Sequence, residues 1–202
     1  MKKFFKFLLW VIGIFVAFIV CAALWNAYQA KQTEDVLNTV LQAGQTDAEI
    51  HQKALKSAGA HWKVNNPTDE MTDKAYVVAS VTSINEAFFD FPYDGGSILT
   101  MYVREKDNKS DVFFRISKGQ FVCNEYSGTD VITIRFDDEA PQKFKASESS
   151  TNDSSILFVA RSSDAKKIIQ KCKTAKAIKV QLNFYSEGSR IFNFEVEEPL
   201  SY

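Results

Sequence analysis

Only two residues of this 202-residue chain are histidines, His51 and His61, and that scarcity decides most of what its side chains can do chemically. A Ser-His-Asp or Cys-His nucleophile needs an imidazole to take the proton from the attacking group. Both histidines precede the strand pattern that starts at Trp62, so either would have to be brought across to the domain to act in one. Zinc is disfavoured on the same count, because no Cys or His pair stands at ligand spacing. Carboxylates are more plentiful. Asp137, Asp138 and Glu139 could hold a hard cation in a turn, or form a surface ion-pair cluster with Arg135. They lack the regular ligand spacing of a calcium loop, which favours solvated hairpin charges. Asp69, Glu70 and Asp73 read the same way. Paired carboxylates also cleave glycosidic bonds, by a mechanism set by their separation in space rather than in sequence. No catalytic set, metal site or cofactor is expected, and the chain is not expected to be an enzyme.

Two features could do chemistry short of catalysis. Cys123 and Cys172 could form a disulfide in an oxidising compartment, closing a loop of ~50 residues for about 4 kcal/mol in the chain-entropy account. As unpaired thiols they would serve as small buried hydrophobes. The aromatic run Phe88, Phe89, Phe91 and Tyr93 precedes Asp94-Gly95-Gly96. Exposed aromatics beside a flexible glycine edge can stack on sugars or anchor a protein partner, which makes Phe88, Phe91 and Tyr93 the candidate binding surface. The alternation of Phe89, Phe91 and Tyr93 also writes a strand, in which they would pack instead. Trp62 reads as a core or sheet-edge residue.

From Trp62 onward the apolar period is two. Ile178, Val180, Leu182 and Phe184 alternate with Lys179, Gln181, Asn183 and Tyr185; Ser186 to Ser189 then turn the chain into Phe192, Phe194 and Val196. This spacing predicts a hairpin. Further strands are predicted over 75–84, 98–104, 111–116, 121–126, 131–137 and 156–160, separated by turns at 105–110, 117–119 and 138–141. Ser163 is placed to cap a helix from Asp164 to Cys172, and the Ser/Thr-rich stretch 147–155 reads as a loop. Many short strands at this spacing suggest an antiparallel β-sandwich, mainly β, with one short helix and a Phe-rich core. No internal repeat or Pro/Gly linker divides residues 61–202, so they form one domain.

Before that domain, residues 31–60 carry helical periodicity. Val36, Leu37, Val40 and Leu41 follow Thr33 and two acids, with Gly44 as a stop; Thr46 and Glu49 make a capping box ahead of Ile50, Ala54, Leu55 and Ala58, and Gly59 ends the run. A helical hairpin is predicted there. It would be a partner-binding stalk or a pair of helices packed near the domain or the membrane.

The first 30 residues set the compartment. Phe7 to Trp25 are 19 residues without a charge, roughly 28 Å as a helix against a hydrocarbon thickness of ~30 Å. Lys2, Lys3 and Lys6 precede them, and the positive-inside rule keeps those lysines cytoplasmic. The expectation is a single-pass bacterial inner-membrane protein, in contact with lipid through residues 7–25, with its C-terminal domain in the periplasm. A cleaved signal peptide is the alternative; the exit Asn26-Ala27-Tyr28-Gln29-Ala30 is a poor cleavage site, since Tyr28 falls where a small residue belongs. Cys21 lacks the small neighbours of a lipidation site and reads as apolar filling. Residues 31–202 hold 21 basic and 25 acidic groups. That balance disfavours nucleic acid, whose backbone demands a cationic stripe.

The order Trp62, Met71-Thr72-Asp73-Lys74, Phe91-Pro92-Tyr93-Asp94-Gly95-Gly96, Lys118-Gly119-Gln120-Phe121-Val122-Cys123 and Ile134-Arg135-Phe136-Asp137-Asp138 resembles an uncharacterised family of small bacterial and prophage-encoded envelope proteins. The likeness covers roughly residues 62–196, with Trp62, Asp73, Gly119, Arg135 and Asp137 as its marks. In layout the chain is also similar to the type VI secretion-associated TagO/VasI family: an early Trp, a mid-chain Cys, an Arg-x-Asp strand, a short late helix and a closing Phe-rich strand. These resemblances imply an envelope location and a β fold and bring no catalytic residues. The expected function is a membrane-anchored periplasmic interaction module with an envelope protein partner, serving an envelope, secretion or prophage-related assembly. A carbohydrate-binding or lytic protein and a structural envelope protein are the alternatives.

Overall fold

The computed structural model describes residues 24–202; helix α1, with bounds Lys2–Gly59, is described from Leu24 onward. The apolar stretch 7–25 expected to cross a membrane therefore lies, apart from Leu24 and Trp25, outside the described residues. Among the described residues no helix is long and apolar enough to cross a membrane.

The helical hairpin expected over 31–60 is instead one continuous helix. The hydroxyl of Thr46, expected to cap a second helix, donates to the carbonyl of Gln42 at 3.0 Å, and Thr39 bonds Asp35 in the same way at 2.8 Å. Such back-bonds satisfy the hydroxyl inside a helix and leave it unavailable as a cap. A mid-helix glycine costs only about 1 kcal/mol, so Gly44 alone does not stop the run. Gly59 does end it, and the packing there needs a glycine: a Cβ would stand 2.5 Å from the carbonyl oxygen of Thr82.

The chain divides into two compact units, Met1–Ile50 and His51–Tyr202. In the first, Val36, Leu37, Val40 and Leu41 form an exposed apolar stripe on α1. The second begins with the last turns of α1, where Leu55 is buried and the Gln52 amide donates to the Ile84 carbonyl at 2.8 Å.

The rest of the second unit contains β1 (Lys63–Asn65), β2 (Val77–Thr82), β3 (Ala87–Phe88), β4 (Gly96–Ser97), β5 (Leu99–Lys106), β6 (Lys109–Ile116), β7 (Val131–Phe136), β8 (Gln142–Glu148), β9 (Ile156–Val159), α2 (Ser162–Cys172), β10 (Ala177–Phe184) and β11 (Gly188–Glu195). Nine of the strands form one open sheet in the order β1-β2-β5-β6-β9-β8-β7-β10-β11. Every pairing in it is antiparallel.

The antiparallel, mainly β reading holds, but the two separate sheets of a sandwich are one continuous sheet. The strand responsible is β8, which is not among the strands the sequence pattern predicts. Its first half pairs with β7, from Gln142↔Ile134 to Lys145↔Val131, and its second half with β9, from Ala146↔Val159 to Glu148↔Leu157. Only Phe144 and Ala146 mark its inward face, too little apolar signal for a strand to show. The strand expected over 121–126 is absent apart from one bridge, Phe121↔Phe184. There the Asn124 side chain accepts from the Tyr126 and Ser127 amides at 2.8 and 3.3 Å, an Asx turn that takes the backbone out of extended conformation. Helix α2 starts at Ser162, with Arg161 at its N-cap and no side-chain cap, so Ser163 does not play that part.

The period-two residues all face one core. Leu99, Met101 and Val103 on β5, Val112, Phe114 and Ile116 on β6, Ile132, Ile134 and Phe136 on β7, and the expected Ile178, Val180, Leu182, Phe184, Phe192 and Phe194 of the closing hairpin are buried. Helix α2 adds Ala165, Ile168, Ile169 and Cys172 and packs mainly on β6 and β9. On the opposite face Tyr102, Phe113 and Phe158 stack across three strands with centroids 4.8 and 5.0 Å apart, cross-strand pairing that stabilises the sheet.

An exposed β11 edge would invite pairing with another chain. Here the segment leaving β2 covers part of it. The Ile84 amide donates to the Asn193 carbonyl at 2.8 Å. The Asn85 side chain donates to the Ile191 carbonyl at 3.0 Å and accepts from the Asn193 amide at 2.6 Å, so one asparagine imitates two rungs of a strand.

Candidate functional site

The aromatic run of the sequence lies at one end of the sheet, where three segments meet: the loop through β3 and β4, residues 117–122, and the β10–β11 turn. Phe184 organises this end. Its ring lies 4.9 Å from both Phe89 and Phe121 and 5.9 Å from Phe192. Phe89 is buried, with the Arg190 guanidinium 5.9 Å above its ring, a favourable cation–π placement. Gly119 makes this possible. It sits at φ +116, and a Cβ on it would come within 2.7 Å of the Phe89 ring.

Polar bonds then fix the loops to one another. The Asp90 amide donates to the Glu187 carboxylate at 2.8 Å, and the Lys118 ammonium to the Asp94 carbonyl at 2.7 Å. The Tyr185 amide donates to Gln120 O at 2.9 Å and the Val122 amide to Asn183 O at 3.0 Å. The β3–β4 rungs Ala87↔Ser97 and Phe88↔Gly96 complete the frame.

On this frame the alternation expected to bury the run is broken. Phe89 points inward, Tyr93 is half-buried against the core, and Phe88 and Phe91 are 70% and 85% exposed. Of the three residues proposed as a binding surface, two are presented to solvent and one packs. Tyr185, 66% exposed on the adjoining turn, joins them. Its outward position was legible in the β10 alternation, but its nearness to the Phe88–Phe91 loop depends on a contact between segments almost a hundred residues apart.

Two glutamates at this end are occupied. Glu187 accepts from the Asp90 amide and from Arg190 at 3.1 Å, and Glu86 pairs with His51 at 2.8 Å. Glu86 also lies beneath Gly96, where a Cβ would meet its carboxylate at 2.4 Å. The second histidine, His61, is 3.7 Å from Glu197. Neither histidine adjoins a cysteine or serine nucleophile in these pairs.

The acidic groups weighed as cation sites act within turns. Asp69 accepts from the Met71 and Thr72 amides and the Thr72 hydroxyl, each at 3.0 Å, and pairs with Lys106. The Lys106 ammonium foremost, then those donors, hold its carboxyl down at about 2. Asp137, in a left-handed backbone at φ 44, accepts from the Lys176 and Ala177 amides at 3.1 and 2.9 Å and so fixes the start of β10. Arg135 pairs with Asp138 at 3.6 Å. Asp73 closes the Asp69 turn at φ 53, and Trp62 is partly buried on the core. Among the described residues no group of three or more His, Cys, Asp or Glu side chains could hold a metal ion.

Cys123 and Cys172 are free thiols in this structure. Cys172 is fully buried on the inner face of α2. Cys123 is half-buried in a recess with Phe121, Glu148 and Leu157. Burial pushes both thiols up, Cys172 far more than Cys123.

Comparison with known proteins returns no matching family model, curated protein or solved structure.

Proposed function

We propose that this chain is a membrane-anchored interaction module of the bacterial envelope, which holds a protein partner through the aromatic end of its β domain. The observation carrying this reading is the presentation of Phe88, Phe91 and Tyr185 on loops whose positions are fixed from beneath by Phe89, Phe184 and Gly119. Leaving a large aromatic in water forgoes roughly 1.5–3 kcal/mol of burial per side chain. Aromatics on a preorganised frame recover that on binding with little further ordering cost, which is the usual chemistry of an interface anchor. The charge-free run from Phe7 to Trp25 after three lysines supports the anchor, and the motif order resembling envelope proteins supports the compartment.

A carbohydrate-binding or lytic role has less behind it. Sugar stacking would use the exposed rings, but hydrolysis needs two carboxylates set across the scissile bond; Glu187 and Glu86 are held by other groups, which leaves Asp90 and Asp94, both exposed on the loop. A purely structural envelope role leaves the exposed rings without a purpose.

Photocrosslinking amino acids placed at Phe91 and Tyr185 of the full chain in cells test the reading, with Asn108 on the distant β5–β6 turn as control. Both aromatic positions should trap the same protein, Asn108 should not, and Phe88→Ala should weaken capture. Capture of glycan strands alone, or equal capture from Asn108, overturns it. A reporter fused after Tyr202 that reads as cytosolic overturns the envelope placement.

A further inference from the structure

Three times among the described residues this fold sets a cation over an aromatic ring and holds it there with a carboxylate. Arg190 lies 5.9 Å above Phe89 and pairs with Glu187 at 3.1 Å. Arg104 lies 5.8 Å above Phe113 and pairs with Asp111 at 2.7 Å. Lys106 lies 5.2 Å above Tyr76 and pairs with Asp69. In each, the ring face and the carboxylate attract the same cation.

The outer surface of the aromatic end repeats the rings and the carboxylates without the cation. Phe88, Asp90, Phe91 and Asp94 are all exposed on the segment that runs from β3 toward β4. Among the described residues neither Asp90 nor Asp94 has an ion-pair partner. Resting on the reading of this end as a docking surface, we infer that the partner supplies the missing cation as an arginine side chain, stacked on the exposed phenylalanines and paired with Asp90 and Asp94.

Backbone geometry and charge favour this occupant. The Asp90 amide donates to Glu187 at 2.8 Å, the Tyr93 amide to the Asp90 carbonyl at 3.0 Å and the Lys118 ammonium to the Asp94 carbonyl at 2.7 Å. Both aspartates therefore start from a fixed backbone, and an arriving cation has little left to order. The nearby cations are engaged, Arg190 by Glu187 and Phe89, and Lys118 by that carbonyl. A purely apolar partner would bury Asp90 and Asp94 unpaired, and an acidic one would be repelled. A metal ion fits poorly, since hard cations take about six or more oxygens and no three acidic, His or Cys groups converge among the described residues. Guanidinium suits the site better than ammonium: it is planar and weakly hydrated, and it can lie on a ring while its N–H fork meets a carboxylate.

The test selects from a random-peptide library displayed on phage, using the full chain in micelles of an uncharged polyoxyethylene detergent. Selected peptides are synthesised and their affinities measured by fluorescence anisotropy. They should be enriched in arginine. Phe91→Ala should weaken binding about two- to fivefold, the size of an exposed cation–π contact. Asp90→Asn combined with Asp94→Asn should weaken it by about the same factor or more, and most at low salt. These side chains are exposed, so the variants keep their fold. Citrulline in place of the peptide arginine, similar in shape but uncharged, should weaken binding about fivefold or more, and lysine about twofold or more. Peptides that depend on Phe91 but show no arginine preference overturn the arginine and leave the docking surface standing. So does binding that is indifferent to citrulline or to the paired aspartate variant. Peptides unaffected by Phe91→Ala, or a selection that yields none, overturn both.

Discussion

If Asn85 imitates a strand at the β11 edge, replacing it with alanine should open that edge and little else. Asn85→Ala removes the 3.0 Å bond to the Ile191 carbonyl and the 2.6 Å bond from the Asn193 amide, while the Ile84–Asn193 backbone bond remains. Each such bond contributes a net ~0.5–1.5 kcal/mol. Asn85 is only half-buried, and water can replace part of what is lost. The expected cost is therefore about 1–2 kcal/mol, in the lower half of the sum. For a unit of this size that lowers Tm by roughly 2–8 °C. Locally the Asn193 amide should exchange about 5–30-fold faster, the ratio that corresponds to that free energy. Asn85→Asp keeps the acceptor for Asn193 and loses the donor to Ile191, so about half the effect is expected. Thermal melts and site-resolved hydrogen exchange on the full chain in nanodiscs read both quantities. A wild-type melt together with unchanged protection of Asn193 would show that the edge is held by something other than Asn85, and the closure described above would be wrong.

Gly119→Ala should cost about 2–4 kcal/mol, from a left-handed backbone and a methyl driven into the Phe89 ring, and chemical denaturation should show it; a loss below 0.5 kcal/mol would mean that the ring moves freely. Asp69→Asn should lower the urea midpoint at pH 7. The native carboxyl titrates at about 2, below its unfolded value, so its contribution is fully present above the unfolded pKa and is lost as pH falls toward 2. Wild type and variant should converge in acid, and a constant gap across pH would refute the Lys106–Asp69 pairing as its source. Under native conditions and after reduction, iodoacetamide should modify Cys123 slowly and Cys172 only on unfolding, since burial raises both thiols and encloses the second. Fast labelling of Cys172 would place α2 off the sheet.

Much of the fold was open to reading in the sequence wherever a signal was local and repeated. The β10–β11 hairpin is written in consecutive alternating residues with a turn between them, and the structure pairs Ala177 to Phe184 with Glu195 to Gly188 without a slip. The same holds for β2, β5, β6, β7 and β9, whose inward residues need no information beyond their own segment.

What the sequence could not determine depended on partners far away along the chain. Gly44 and Thr46 have the residue types of a helix stop and restart, yet the hydroxyl found its acceptor inside the helix. Gly59 does end the helix as its residue type suggests, and only the fold adds that a Cβ there would meet the Thr82 carbonyl oxygen at 2.5 Å. Strand β8 carries two inward side chains and becomes a strand because β7 and β9 both offer it hydrogen bonds, and that sharing turns an expected pair of sheets into one. In the aromatic run, period two put Phe89 and Phe91 on one face; the Phe184 cluster claims Phe89, and the Glu187 carboxylate holds Asp90, leaving Phe91 in water. Local pattern fixes which residues prefer to be buried, because solvent transfer is a property of each side chain. Which of them finds a place inside is settled by contacts that exist only once distant segments have met.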